Sequence, residues 1–231
     1  LCFNAGMSLE GVGQLDAAAT AYRKACDAGI VASCTRLGAA LRTLGRNDEA
    51  LAAFDSACTA NDPVACTHTG ILHQQAGRQS EAEAAYRKAC NANELTGCGA
   101  LGGLVLAAGR PGDAEAPYRK ACDGGDAPSC AGLGLVYQAL GRSSEADAAN
   151  RRACDGGYAA GCSALGIASR TAGRNQEAIS YFQRACDAGH AEGCRNLGSV
   201  LLEAGRSEEA QAAYRKACEG GDSAACAVAG P

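Results

Sequence analysis

Fifteen cysteines in 231 residues are the side chains here whose number and spacing could carry chemistry. They stand at positions 2, 26, 34, 58, 66, 90, 98, 122, 130, 154, 162, 186, 194, 218 and 226, and the gaps alternate between 24 and 8 without exception. Thiols so arranged could ligate a metal, stay free, or pair. Zinc asks for roughly two to four residues between paired ligands, and the three histidines, His68, His73 and His190, are not paired with any cysteine cluster, so no metal or other cofactor is expected. Fifteen free thiols would be a redox liability in a reducing cell. Within each eight-residue pair, the intervening loop (Asp155-Gly-Gly-Tyr-Ala-Ala-Gly161 is one) is short enough to bring the two side chains together. The spacing therefore predicts seven disulfides: Cys26–Cys34, Cys58–Cys66, Cys90–Cys98, Cys122–Cys130, Cys154–Cys162, Cys186–Cys194 and Cys218–Cys226. Cys2 is left over, and the expectation is that it marks a cut through a repeat in a longer natural protein. Closing a loop of about nine residues stabilises by roughly 2.5 kcal/mol in the chain-entropy model.

The elements that must position these pairs follow from the same ruler. Gaps of 24 and 8 make a period of 32, and self-similarity at such a period marks a repeat array. Leu-Gly follows the second cysteine of a pair at 37–38, 101–102, 133–134, 165–166 and 197–198, where a small residue lets a neighbouring helix approach closely. Gly-Arg recurs at 45–46, 77–78, 109–110, 141–142, 173–174 and 205–206; the glycine reads as a left-handed helix stop and the cation as favouring the negative helix end. A second helix follows, with acids such as Asp48 and Glu49 in its first turn and Arg-Lys or Arg-Arg in its last, matching the helix dipole. An aromatic column at Tyr22, Phe54, Tyr86, Tyr118, Phe182 and Tyr214 lies between alanine columns, which reads as a packed interface. Asp62-Pro63 reads as N-cap and N1 proline. The unit is helix, two-residue elbow, helix, short Gly-rich loop. The chain is thus expected to be all-α: an α/α solenoid of seven 32-residue helix-turn-helix repeats, forming a single domain over 1–231. Its repeats start near 1, 30, 62, 94, 126, 158 and 190, and a half repeat spans 222–231.

Net charge −4 with 20% charged residues gives nothing to draw the chain to nucleic acid or anionic lipid. No apolar run approaches the length of a membrane span. There is no Ser-x-x-Lys, Ser-Asp-Asn or Lys-Thr-Gly set for serine β-lactamase chemistry, and no phosphate loop or dinucleotide fingerprint.

The succession Leu-Gly, Gly-Arg, Glu-Ala, Tyr-Arg-Lys-Ala-Cys-Asp and a second Cys resembles the Sel-one-like repeat family, in particular its disulfide-rich branch, the Helicobacter cysteine-rich proteins. Tetratricopeptide repeats are the wider relatives. Phe182-Gln-Arg-Ala-Cys-Asp-Ala-Gly-His-Ala-Glu-Gly-Cys-Arg-Asn-Leu-Gly198 is the most faithful stretch. This chain departs from the family in its shorter repeat; members usually run to about 36 residues with a longer inner connection. The resemblance implies right-handed stacking of helix pairs, a concave face built mainly by the first helices, and a secreted or periplasmic adaptor. It also brings an association of some relatives with penicillin binding and β-lactamase activity.

If tetratricopeptide geometry holds, the concave face presents Thr35, Arg42, Thr67, Gln74, Gln75, Leu106, Leu135, Gln138, Ser163, Arg170 and Arg195. That strip suits an extended peptide or protein partner whose carboxylates meet Arg42 or Arg170. The chain therefore reads as a non-enzymatic protein-interaction scaffold. The other readings are β-lactam binding or weak β-lactamase-like activity, and a structural protein that self-associates through open solenoid ends. Three positions break their columns. Pro117 stands where the repeats carry alanine, and is expected as a tolerated near-terminal proline. Asn150 replaces the aromatic while Tyr137 enlarges another position, which reads as a size swap in the core. His73 is expected as a packed, hydrogen-bonded residue.

Overall fold

The structure, a computed structural model, describes residues 1–229. Among them are fifteen α-helices and no strand. The thirteen from α2 to α14 are each 13 residues long, and each connection between consecutive helices from α2 to α15 is three residues. Two such helices and two such connections make the 32-residue period, so the elbow is one residue longer than the sequence suggests. Residues 230–231 of the terminal half repeat lie outside the described residues.

The chain divides into two compact units, Leu1–Ala108 and Gly109–Pro231. Unit 1 holds α1 (Cys2–Gly11), α2 (Leu15–Asp27), α3 (Val31–Thr43), α4 (Asn47–Thr59), α5 (Pro63–Gln75), α6 (Gln79–Asn91) and α7 (Leu95–Ala107). Unit 2 holds α8 (Pro111–Asp123), α9 (Ala127–Ala139), α10 (Ser143–Asp155), α11 (Ala159–Thr171), α12 (Asn175–Asp187), α13 (Ala191–Glu203), α14 (Ser207–Glu219) and α15 (Ser223–Ala229). Odd-numbered helices are the first and even-numbered the second of each pair. Within each unit every helix packs on the next, the pattern of an α/α solenoid.

The elbows are built as the glycines suggest. Gly13, Gly45, Gly77, Gly109, Gly141, Gly173 and Gly205 all have φ between 72° and 77°, the left-handed conformation that ends a helix. In the other connection, Asn61 (φ 67°) and Asn93 (φ 65°) take the position that glycine holds elsewhere, since asparagine is among the few residues that visit this region readily. The arginine after the elbow glycine serves both helix ends: its backbone amide closes the preceding helix, as Arg46 does on the Leu41 carbonyl at 2.9 Å. It is also the N-cap of the second helix, and in most repeats its guanidinium clasps the acid three residues on: Arg46 with Glu49 at 2.7 and 2.8 Å, Arg110 with Asp113, Arg174 with Glu177 and Arg206 with Glu209. The carboxylate in the first turn, not the cation, complements the helix dipole.

The core is a small-against-large interface. The ring of Phe54 lies against Gly38, that of Tyr86 against Gly70 and that of Phe182 against Gly166, so that a Cβ at any of these glycines would sit within about 2.8 Å of ring carbons. These rings are fully buried. Where Asn150 replaces the aromatic, it lies against Gly134, and Tyr137 packs with Tyr118, Ala146, Ala149 and Ala153 instead; volume lost at one position is regained at another. Pro117 lies inside α8, whose helical run continues through it.

All seven expected disulfides are present, with Cα–Cα separations of 4.4–4.7 Å, and Cys2 is a free, exposed cysteine. Each first cysteine sits in the last turn of a second helix and each second cysteine in the first turns of the next first helix, so one bridge clamps every junction. Seven bridges point to an oxidising compartment.

Candidate binding face

In unit 2 the first helices α9, α11 and α13 lie against one another in succession, as α5 and α7 do in unit 1. They form one rank of first helices in each unit, here termed the inner rank, and three columns one turn apart run along it. The column just after the second cysteine holds Thr35, Thr67, Ser163 and Arg195; the other two hold Leu135, and Arg42, Gln74, Leu106, Gln138 and Arg170.

The first of these columns is not free. Thr67 and Ser163 are each 4% exposed. The hydroxyl of Thr67 donates to the carboxylate of Glu94 at 2.6 Å, and that of Thr35 to Asp62 at 2.7 Å. Arg195 donates to Asp222 at 2.7 Å. Those acids are the N-terminal caps of the next first helix: Asp62 accepts the amides of Val64 and Ala65, Glu94 those of Thr96 and Gly97, and Asp222 that of Ala225. One carboxylate thus satisfies the orphan amides of its own helix and ties down a side chain of the preceding repeat. Sequence reasoning missed this ladder, although its signal is legible. A donor stands 27 residues before the cap acids Asp62, Glu94 and Asp222, though not before Asp126, where Gly99 stands; where the cap is His190, which accepts from Gly193 through Nδ1 at 3.0 Å, the earlier residue is the buried Ser163.

The remaining columns are open. Arg42, Gln74 and Gln75 in unit 1 and Leu135, Gln138 and Arg170 in unit 2 are exposed, while Leu106 is half-buried. Gln74 accepts from the Tyr86 hydroxyl at 2.8 Å. Leu135 (55% exposed), Ile167 (44%) and Leu202 (52%) give the inner rank of unit 2 apolar points. Nearby in unit 1, His68 stacks 4.8 Å from Phe54, and burial, with the charge of Arg42 second, pushes its pKa below the ordinary value. The shift favours its neutral form. His73 is half-buried, as expected, and its Nδ1 has no hydrogen-bond partner among the described residues.

Unit 2 also carries a charged cluster around Tyr137. Arg142 lies 4.5 Å over its ring, and the Arg119 guanidinium donates to its hydroxyl at 2.8 Å. Glu115 pairs with both arginines. The larger side chain at 137 is what calls this cluster together, which the sequence flagged only as a volume change.

Among the described residues no group of three or more His, Cys, Asp or Glu is gathered to hold a metal ion, and no helix is long and apolar enough to cross a membrane. Buried small-on-aromatic columns, a bridge at every junction and an open inner rank define a disulfide-clamped helical-repeat protein. The tetratricopeptide repeat family model matches residues 3–65 and 163–225, and the chain belongs to that family. No curated protein matches it. Among solved structures it is similar to c5321, a protective antigen of uropathogenic Escherichia coli strains displaying an SLR fold, at 20% identity and TM-score 0.78. That match covers 99% of this chain but only 55% of c5321. It is also similar to a Sel1 repeat protein from Oxalobacter formigenes, at 23% identity and TM-score 0.71, covering 94% of this chain and 99% of that one. The pilus biogenesis factor PilW matches at 15% identity and TM-score 0.60, covering 81% of this chain and 91% of PilW. These likenesses concern the fold, and with the seven bridges they fit the cysteine-rich Sel-one-like branch.

Proposed function

We propose that the protein is a secreted or periplasmic interaction scaffold, without catalytic activity, that binds extended polypeptide segments along the rank of first helices in each unit. The observation that carries this reading is the state of two arginines. Arg42 and Arg170 are exposed on first helices and engage no carboxylate among the described residues. The elbow arginines Arg46, Arg142, Arg174 and Arg206, by contrast, are each clasped to an acid. An unpaired guanidinium on a rigid surface is ready to take a partner carboxylate in a bidentate pair, and Gln75 and Gln138 beside the arginines offer groups for backbone carbonyls and amides. Cross-linking at every junction lowers the ordering that the protein must undergo on binding. Thr35, Thr67, Ser163 and Arg195 belong to the internal ladder and packing, and support the face rather than touch the ligand.

Capture of acidic peptides by the full chain, followed by fluorescence anisotropy, tests this reading. Arg42→Glu with Arg170→Glu is expected to weaken capture about tenfold or more, with a steep dependence on ionic strength, and to leave the helical circular dichroism unchanged. Undiminished capture by the folded double variant overturns the inner-rank assignment. Turnover of a β-lactam that co-purifies with the folded chain overturns the non-catalytic reading.

A further inference from the structure

The second helices end on a recurring pair of acceptors. The carbonyl of the penultimate cysteine accepts one turn amide, as Cys58 does from Asn61 at 2.9 Å and Cys26 from Gly29 at 2.8 Å. Such a carbonyl can take a further donor besides its turn amides, as the side-chain contacts at other junctions show. At four junctions a cation from the following second helix reaches this end. Lys88 donates to the Cys58 carbonyl at 2.6 Å. Arg152 donates to the Cys122 carbonyl at 2.9 Å and to Asp123 at 2.8 Å. Arg184 donates to the Cys154 carbonyl at 3.1 Å and to Asp155 at 3.0 Å, and Lys216 to Asp187 at 3.3 Å. All four cations occupy one repeat position, and each opposes the negative end of the helix it touches.

In the second repeat that position is Ser56. Its hydroxyl reaches the Cys34 sulfur, at 3.9 Å, and among the described residues no side-chain cation is bonded to the Cys26 carbonyl or to the exposed Asp27 carboxylate. In its place the structure has a cleft of about 370 Å³ between α2 and α4, bounded by Cys26, Asp27, Leu37, Glu49 and Ser56. The corresponding cleft in unit 2, over Cys186 and Leu197, keeps its lysine, Lys216, and is about 170 Å³. Arg23, which also lines the larger cleft, is turned to Glu49 at 2.7 Å.

We propose that this cleft is a docking site for an arginine side chain of a partner polypeptide, whose guanidinium takes the place left by Ser56. Arginine fits better than lysine because the acceptors are two and divergent, a carbonyl and a carboxylate, and a planar fork spans them as Arg152 does at its own junction. The apolar floor at Leu37 and Ala53 suits the aliphatic stem. The site lies on the second helices, so it stands or falls independently of the inner rank.

The test is a heteronuclear NMR titration of the full chain with N-acetyl-arginine amide, with N-acetyl-lysine amide as the second arm. Saturable shifts are expected at Ala28, Gly29 and Ser56, with the lysine probe weaker. Asp27→Asn should weaken binding about tenfold, the worth of one charge-assisted hydrogen bond. Ser56→Arg, which refills the position from within the chain, should abolish the shifts and raise the thermal midpoint. Absence of saturable shifts in the unaltered chain, or unchanged binding in a folded Ser56→Arg chain, overturns the site. Equal binding of the lysine probe overturns the guanidinium assignment.

Discussion

Replacing Gly38 by alanine sets two known effects against each other at one atom. In an exposed helix the change gains about 1 kcal/mol of propensity. At Gly38 the new Cβ would stand 2.7 Å from Cδ1 and Cε1 of Phe54 and 2.8 Å from Cγ, against an optimal carbon–carbon separation of about 3.5–4.0 Å. The Phe54 ring is fully buried, so it cannot swing into solvent; the helix pair must part or the ring must leave its rotamer. Overpacking of this kind costs roughly 1–3 kcal/mol, and three ring atoms in conflict place it at the upper end. The net expectation is a loss of about 1–2 kcal/mol. Gly112→Ala, in the first turn of α8 with nothing within 4 Å of its Cβ, should instead gain up to about 1 kcal/mol. Phe54→Leu should restore room, so that the Gly38→Ala, Phe54→Leu pair is less damaging than the sum of its parts by about 0.5 kcal/mol or more. A repeat array need not unfold in two states, so amide hydrogen exchange of α3 and α4 is the assay, with the circular dichroism melt beside it. Stabilisation by Gly38→Ala, or strict additivity in the double variant, refutes the argument that these glycines are there for aromatic contact.

Removing the Cys90–Cys98 bridge with a double alanine change should destabilise its junction by about 2.6 kcal/mol from loop closure alone, read as faster exchange in α6 and α7; an effect under about 1 kcal/mol would show that packing holds the junction. Glu49 is held at a pKa of about 2, first by its hydrogen bond from Arg46 and then by that from Arg23. A depressed carboxylate contributes stability above its unfolded pKa that is lost as pH falls toward about 2, and Arg46→Gln should move its carbon-13 carboxyl titration back toward the ordinary range. Tyr22 is pushed up to about 12, by burial first and then by its hydrogen bond to Glu10. Its neutral form is favoured in the fold, so stability should fall as pH rises from the ordinary tyrosine range toward about 12; a phenolate absorbance appearing near 10 while the fold persists would contradict this burial.

The amino-acid sequence by itself determined the period, the helix pairs, the seven bridges and the glycine elbows, because each depends on contacts near in sequence. A nine-residue loop brings Cys154 to Cys162 whatever the rest of the chain does, and Gly45 ends α3 by its own backbone freedom. The aromatic column was legible too, since helical periodicity puts Phe54 and its equivalents on one face. What only the tertiary structure decided is which side chains the stacking leaves open. Thr67 and Ser163 share a column with exposed-looking neighbours, yet each is covered once the next first helix docks, and the cap acid 27 residues on takes the threonine hydroxyl. The elbow arginines read as partners of the helix behind them; the backbone amide of Arg46 does close that helix, while its guanidinium turns to the acid ahead, because the chain turns between the two. Only the lysines and arginines of other repeats, seen reaching back to a cysteine carbonyl, give the small side chain of Ser56 its meaning as a cleft. Local periodicity sets what each residue can reach along its own helix, and the packing of one repeat on the next sets what it meets there.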